Sequence, residues 1–491
     1  MKRKKKFGLG LLLSLIVAIM AGCQAVNGVD LNNVLLKSTD VHSYESTESV
    51  HLQLLMDDSL AVPEEAAKLV DMLKDITVTL DQKVADATQS SASGTLTLGK
   101  VSIPFELYTN GTQVLANVGG TKHPLLLSSG AVGEDIGSEL SIPVDASIIT
   151  EQYKKMIPLV VKQMPNPKKL NVSMQSSTIH GESVFGAKVH AEIKGSELTD
   201  WLTTFITNLV SDEESFKSIM KLVLTAQMAE EGTLSDEELA TAIDEAYTEA
   251  KGELPDLISQ LKEELSAEEV QSVLNDDLSL SADLFVDSHG DIRKSNITVN
   301  MKLPADKTEG LNGIILEVNS EKWNVNQTVK VDPIDAAGAL EIGPSFNQYY
   351  FLKNLEPTSP LYSLLTNDLK ATDVNLHLLV MPNAQVNYQR LPYLKKTTTM
   401  VPVRLAEDLG GEVTWDAVNK QIVITDILSG KVIALKEGSN TAVVDGKPVQ
   451  MAAPVETVGG RSFVPAKFLA TEFGCKLIWH SEDQSIEISR P

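Results

Sequence analysis

The chain has 491 residues, enough for two or three domains with cores of their own. It carries 66 acidic against 42 basic residues, a net charge of −24, which argues against nucleic acid and anionic lipid headgroups as electrostatic partners. Two cysteines leave no room for a disulfide framework or a cysteine metal cluster.

The first element is a short apolar run behind a basic patch. Lys2 to Lys6 are all basic, and Phe7 to Met20 are apolar apart from Gly8, Gly10 and Ser14. This suits the core of a secretory signal and falls short of the roughly 20 residues a transmembrane helix needs. The run ends at Met20-Ala21-Gly22-Cys23, small residues directly before a cysteine. That stretch resembles the lipobox of bacterial lipoproteins. The resemblance implies that residues 1–22 are cleaved as a signal peptide and that the Cys23 sulfur receives a diacylglycerol. Residues 23–30 become a tether, and the mature chain sits on the outer face of the cell membrane, held by fatty acyl chains such as palmitate. More than one chain is needed, because a single acyl chain anchors only marginally. Cleavage removes five basic residues and leaves 37 against 66 acidic. No other stretch is long and apolar enough to span a bilayer.

Residues 31–343 form the next part. Leu31 to Lys37 reads as an amphipathic helix, and long alternating stretches follow at Ser43–Met56, Ile76–Val84, Gly94–Leu107 and Thr112–Val118. Asn110-Gly111 marks a hairpin turn. Strands resume at Leu170–Ser176, Val184–Ile193, Leu278–Val286, Ile292–Leu303, Gly313–Val318 and Asn324–Val331. Asp287 to Asp291 has the alternating acids of a calcium loop, but lacks the later bidentate glutamate and is expected to be a polar turn. Two helical stretches interrupt the strands. Leu198, Trp201, Leu202, Phe205, Ile206 and Leu209 keep helical spacing behind Ser196 as N-cap. Leu254, Leu257, Ile258, Leu261 and Leu265 form a stripe in the acidic segment 230–269, whose charge is expected to be a solvated helical face. A large curved antiparallel sheet with covering helices is similar in architecture to LolA-like and LppX-like lipoproteins. That likeness implies acyl chains held between sheet and helices; the alternative is a filled core around Trp201, Phe205 and Ile206.

Gly343-Pro344-Ser345 and Pro357-Thr358-Ser359-Pro360 mark residues 344–371 as a connecting segment with one short helix near Leu361–Leu369. Beyond it the sequence repeats. Met400-Val401-Pro402-Val403-Arg404 corresponds to Phe463-Val464-Pro465-Ala466-Lys467, with the prolines 63 apart, and Trp415 corresponds to Trp479, 64 apart. The second copy is one residue longer, at Phe468. Each copy is expected to hold its proline just inside a short helix, end that helix at Gly410 or Gly474, and continue into two strands. Asp445-Gly446 predicts a type I′ hairpin. The pattern, from Thr372 to Pro491, resembles the copper amine oxidase N-terminal-like domain, a small α+β stalk module common in secreted proteins of Gram-positive bacteria. The fold class is therefore α+β: the large sheet, then a small module of two similar repeats. Trp415 and Trp479 are expected as core anchors, with aromatic platforms for glycan or peptidoglycan as the functional alternative. Cys475, among Phe473, Leu477 and Ile478, is expected to be a structural thiol.

Enzymatic motifs are missing from the sequence. Asn387-Tyr388 is followed by Gln389 and not by an acid, and the eight histidines include no His-x-His, so the quinone and copper of an amine oxidase have no ligands to use. There is no nucleophile elbow, zincin motif or phosphate loop. The expectation is a non-catalytic lipoprotein without metal or cofactor, attached to the membrane at Cys23 and binding or positioning cell-envelope components. A carrier of lipid or another apolar ligand in residues 31–343 is the alternative.

Overall fold

The computed structural model describes residues 30–57, 64–128, 155–231, 235–304, 308, 310–343, 346–383 and 391–490. Two compact units emerge, one of Met1–Val118 with Pro124–Pro344, the other of Gly119–His123 with Ser345–Pro491. Together they are a mixed α+β architecture, as expected.

The first unit is built on one twelve-stranded sheet. In chain order its strands are β1 (Tyr44–Met56), β2 (Asp75–Val84), β3 (Ser90–Leu98), β4 (Val101–Thr109), β5 (Gln113–Val118), β6 (Leu125–Ser128), β7 (Lys169–Ile179), β8 (Glu182–Lys194), β9 (Ser279–Asp287), β10 (Ile292–Lys302), β11 (Leu311–Trp323) and β12 (Leu340–Ile342). In space they run β12-β6-β5-β4-β3-β2-β1-β11-β10-β9-β8-β7. The sheet is not wholly antiparallel: β12 lies parallel to β6, with Leu340 opposite Leu125. A long return after β11 permits this, where a tight hairpin would force the antiparallel sense.

Register makes the sheet two-faced. Leu96, Val78, Val50, Val318, Ile297 and Ala282 stand opposite one another across six strands. One residue along each strand, Thr95, Thr79, Ser49, Asn319, Asn296 and Asp283 form the matching row on the other face. The period of two thus separates an apolar face from a polar one. Curvature brings the β7–β8 turn back over β11, where His180 stacks on Trp323 with ring centroids 4.1 Å apart.

Helices cover the apolar face. In α1 (Leu31–Ser38) the side chain of Asp30 caps the amide of Asn33, and Leu31 and Val34 pack against Ala282, Leu284 and Val286. After α2 (Glu64–Leu73) and a helical stretch at 155–161 comes α3 (Gly195–Ser211), which sets Leu198 and Trp201 against Ile193, Leu280 and Val299. Each such buried aliphatic side chain contributes about 1.5–3 kcal/mol. The cap of α3 is Lys194 and not Ser196, whose hydroxyl bonds Asp276. The helix starts early because Gly195 fits against the Asn275 carbonyl, which a β-carbon would meet at 2.5 Å. Two more helices, α4 (Glu213–Glu231) and α5 (Asp236–Leu265), follow, then α6 (Glu268–Gln271). The acidic segment is helical as expected, opened by a Ser235–Glu238 capping box. Its buried face, however, is Leu239, Ile243 and Tyr247, whereas Leu257 in the expected stripe is exposed.

Two strand expectations are corrected. The stretch Gly94–Leu107 is two strands joined at Gly99, whose φ of +56° breaks the run. Asn324–Val331 is coil, since Asn324 and Asn326 take left-handed φ values of 50° and 55°. The Asp287–Asp291 loop is a hairpin turn between β9 and β10. The Asp287 carboxylate accepts the amides of His289 and Asp291 at 2.9 and 3.1 Å and the Arg293 guanidinium at 2.9 Å.

The second unit contains α7 (Gln348–Asn354), α8 (Pro360–Ser363) and a π-helical turn at Leu364–Asp368, so the segment expected to connect the two parts is itself packed, with Tyr349, Leu352, Leu355 and Leu361 buried. The strands are β13 (Val374–Leu379), β14 (Tyr393–Lys395), β15 (Thr398–Pro402), β16 (Gly411–Asp416), β17 (Gln421–Asp426), β18 (Val432–Leu435), β19 (Thr441–Val444), β20 (Lys447–Gln450), β21 (Glu456–Val458), β22 (Arg461–Pro465), β23 (Lys476–His480) and β24 (Ser485–Arg490). Between them lie α9 (Leu405–Asp408) and α10 (Ala466–Glu472). Three sheets result, ordered β13-β24-β23, β14-β15-β22-β21 and β16-β17-β18-β19-β20.

The repeat is real and its copies face each other. β15 pairs antiparallel with its counterpart β22, with Val401 opposite Val464, Met400 opposite Pro465 and Pro402 opposite Phe463. Each residue therefore meets the equivalent of its partner's mirror position, which defines a local two-fold axis between Val401 and Val464. Other equivalent positions also join across it. Arg490 donates to both oxygens of Asp426 at 3.1 and 2.9 Å, and the Tyr393 hydroxyl bonds Glu456. One core holds both copies together, with Leu409, Ile424, Phe473 and Ile488 in it. The prolines end strands and do not sit inside the helices, because β15 and β22 must run up to them to pair. Asp445 and Gly446 both have positive φ, 47° and 79°, as the type I′ hairpin requires.

Burial pushes the Asp287 carboxyl up, but Arg293 and the two amides outweigh it and hold the group below the ordinary carboxylate value. A carboxyl depressed in the folded state adds stability above its unfolded pKa, about 3.9, and loses it as pH falls through the folded value. Asp287→Ala leaves Arg293 unpaired and is expected to cost about 3–5 kcal/mol at pH 7 in urea denaturation. The gap between mutant and parent should narrow as pH drops below about 4.

Candidate functional site

Cys23, the expected lipid-attachment residue, lies outside the described residues, as does Asn387-Tyr388. The other sequence-marked positions can be placed. Cys475 is half-buried against the core of the second unit. Burial, with Asp426 adding to it and Arg490 opposing it, pushes the thiol up, which suits a structural and unreactive group.

The tryptophans are not core anchors. Trp415 is 61 % exposed and Trp479 41 %, although their hairpin neighbours Ile424 and Ile486 are fully buried. Both lie on the inward face by alternation, Trp415 opposite Ile422 and Trp479 opposite Ile486, but each stands on the outermost strand of its sheet, β16 or β23. An exposed indole this size is an available stacking surface.

Trp415 lines an open groove of about 310 Å³ with Pro402, Arg404, Val413, Ile422 and Arg461. Three elements supply it: the end of β15, the β16–β17 hairpin, and the start of β22 from the other copy. Apolar side chains and two arginines share the lining, and Arg404 pairs with Glu407 one turn on, at 2.6 Å. The local two-fold generates a mate of about 460 Å³, lined by Thr398, Pro465, Lys467, Phe468, Leu477 and Gln450. Pro402 corresponds to Pro465, Arg404 to Lys467, Val413 to Leu477 and Arg461 to Thr398. Trp479 does not line the mate; Phe468, the extra residue of the second copy, does. Sequence reasoning missed Arg404 and Arg461. Extending the repeat alignment a few residues upstream of each proline would have exposed the Arg461/Thr398 difference.

Elsewhere, the polar face of the first unit's sheet carries a groove of about 410 Å³ with Thr47, Gln175, Lys188, Asp283, Asn296 and Asn319 around it. Four of its charged residues pair among themselves, Lys188 with Asp283 at 3.4 Å and Lys294 with Glu321 at 2.7 Å. Two histidines far apart in sequence, His377 and His480, meet with ring centroids 5.6 Å apart, each on its own carboxylate, Asp483 and Glu487. Among the described residues no three metal-capable side chains converge. No helix among them is long and apolar enough to cross a membrane.

A family model for the copper amine oxidase N-terminal domain matches residues 380–488. It covers the two copies and both grooves, and it is the non-catalytic domain of the oxidase that is matched, not the catalytic one. No curated protein matches the chain.

Exposure fixes what the tryptophans should be worth to the fold. Trp415→Ala is expected to change stability by less than about 1 kcal/mol in chemical denaturation. Phe463→Ala, at a side chain 1 % exposed in the same unit, should cost about 3–5 kcal/mol. A large loss at Trp415 would restore the core-anchor role.

Proposed function

We propose that the chain is a non-catalytic lipoprotein, anchored through Cys23 on the outer face of the membrane, whose C-terminal module binds cell-envelope material. The observation that carries the binding role is the exposed Trp415 in an open groove, on a surface where a packing tryptophan would be covered. The match to a stalk-type domain without its catalytic partner supports a binding or positioning task over chemistry. The lipobox-like Met20-Ala21-Gly22-Cys23 supports the anchor. Fatty acyl chains would hold the protein in the membrane, while the acidic mature chain adds no attraction to anionic headgroups.

The second reading, a carrier of lipid or another apolar ligand in the first unit, draws on the apolar sheet face. Val50, Leu52, Val78 and Leu96 remain only half-buried there. Over β8 to β10 the same face is filled by Leu198, Trp201, Val161 and Met164. A carrier would therefore hold its ligand over β1 to β4, and native mass spectrometry of the purified protein would detect acyl lipid leaving with it.

Two measurements test the leading reading. Labelled palmitate should enter the parent chain and not Cys23→Ser, which should leave the membrane fraction. Full-length protein in detergent should sediment with purified cell wall, and Trp415→Ala should lower that retention about tenfold or more. Unchanged retention in Trp415→Ala would remove the groove from the function, and absent label would remove the anchor.

A further inference from the structure

The apolar face of the first unit's sheet runs out past its helical cover at one edge. Leu31 and Val34 of α1 share a buried cluster with Val172 of β7 and with Ala187 and Val189 of β8. Met174 lies two residues on from Val172 and Phe185 two residues before Ala187, so both stand on the face of that cluster. Met174 is opposite Ala187 and Phe185 opposite Ser176, which makes the two side chains diagonal neighbours. Beyond α1 they are left open, Met174 58 % and Phe185 57 % exposed. β7 is also the last strand of its sheet. Residues 170–181 carry no lysine, arginine, aspartate or glutamate, in a chain that is 22 % charged. Edge strands are ordinarily guarded by charge. This one is not.

We propose that Met174 and Phe185 enter a lipid surface and seat the β7 edge of the first unit on the membrane that holds the anchor. The occupant follows from where the chain enters the unit. α1 begins at Leu31, capped by Asp30, over β7 and β8. Asp30 follows Cys23 by seven residues, which reach at most about 25 Å whatever path they take. A sheet of twelve strands, spaced about 4.8 Å apart, is wider than that. A lipidated Cys23 therefore keeps the β7 side of the sheet beside the bilayer. Charge favours the same side. With 66 acidic against 42 basic residues, the chain meets an anionic headgroup layer with least repulsion at an uncharged edge. Entry stops at headgroup depth, because Ser173 and Gln175 face the other side of β7 and need water. An exposed apolar pair gains there what it lacks in the fold, contact with apolar neighbours. The inference deepens the anchored-lipoprotein reading and rests on it.

Fluorescence quenching in reconstituted vesicles provides the test. Met174→Cys, Phe185→Cys and Leu55→Cys are each made in full-length chains that also carry Cys475→Ser, and the single thiol is labelled with bimane. Leu55 is the control: it is 41 % exposed, but on β1, five strands across the sheet from β7. The vesicles are phosphatidylcholine with phosphatidylglycerol, the acyl chains brominated close to the headgroup. Bimane at positions 174 and 185 should be quenched about threefold or more relative to position 55, as side chains at the headgroup boundary are. Circular dichroism melts would confirm that each variant folds, and the two labelled positions report independently. Equal quenching at all three positions, or none at 174 and 185, overturns the assignment. A second copy on the β7 edge would instead give disulfide-linked dimers of the unlabelled Met174→Cys chain in dilute detergent solution, and that overturns it too. The two readings fail differently. A chain that carries no acyl group and does not float with vesicles removes the anchor and this face together, whereas a chain that floats with positions 174 and 185 unquenched removes this face alone.

Discussion

The second unit depends on one pairing, β15 against β22, with Val401 facing Val464 across a local two-fold axis. Neither copy has enough apolar surface to make a core alone. The short helices α9 and α10 bury Leu405, Ala406 and Leu409, and Ala466, Leu469 and Ala470, only because the pairing brings their inner faces together over one cluster. A two-fold axis also sets a constraint on sequence. A residue near the axis meets its own counterpart, so two identical copies would set Asp426 against another carboxylate and Glu456 against another. The copies differ where this would repel: Arg490 stands where a second Asp426 would be, and Tyr393 where a second Glu456 would be. The Asp426–Arg490 pair is almost wholly buried; Arg490 also donates to the Leu409 carbonyl, and Asp426 accepts the Ser429 hydroxyl at 2.6 Å. Breaking such a pair costs more than the pair itself contributes, which ties the two copies to each other's sequence.

The same arrangement explains what could be read from the sequence. Spacing of 63 and 64 residues revealed the duplication, and period-two alternation gave the correct inward face for Ile422 and Ile424. Alternation says nothing about where a strand will stand in its sheet. Trp415 and Trp479 are on the inward side but on edge strands, so a correct face led to an incorrect burial. The prolines misled for a related reason. Pro402 and Pro465 fit both the first turn of a helix and the end of a strand, and only the partner copy decides between them. Arg461 was invisible as a groove residue because it lines the groove beside Pro402 and Trp415 of the other copy, far earlier in the chain. In the first unit the long strands were legible, while the short β6 and β12 and the helices α2 and α4 were not, since short or weakly amphipathic elements leave no clear period.

The large sheet's polarity is set by the same period. Threonine, serine, asparagine and aspartate occupy one row, valine, leucine, isoleucine and alanine the next, and six consecutive strands keep those two rows in register. An acyl chain gains nothing on the polar face, where it would separate Lys188 from Asp283 and Lys294 from Glu321 and strand their charges. Any apolar ligand is thereby confined to the helix-covered face, and there to the part that α3 leaves open.

The pattern of difference between the two copies separates structure from recognition. At core positions the equivalents stay apolar: Val401 and Val464, Leu405 and Leu469, Leu409 and Phe473, Ile424 and Ile488. At the axis they become complementary, as Asp426 and Arg490 do. In the grooves they follow neither rule. Arg461 and Thr398 are not partners across the axis and are not held alike by a shared core, so the two-fold puts no constraint on one from the other and the copies are free to diverge there.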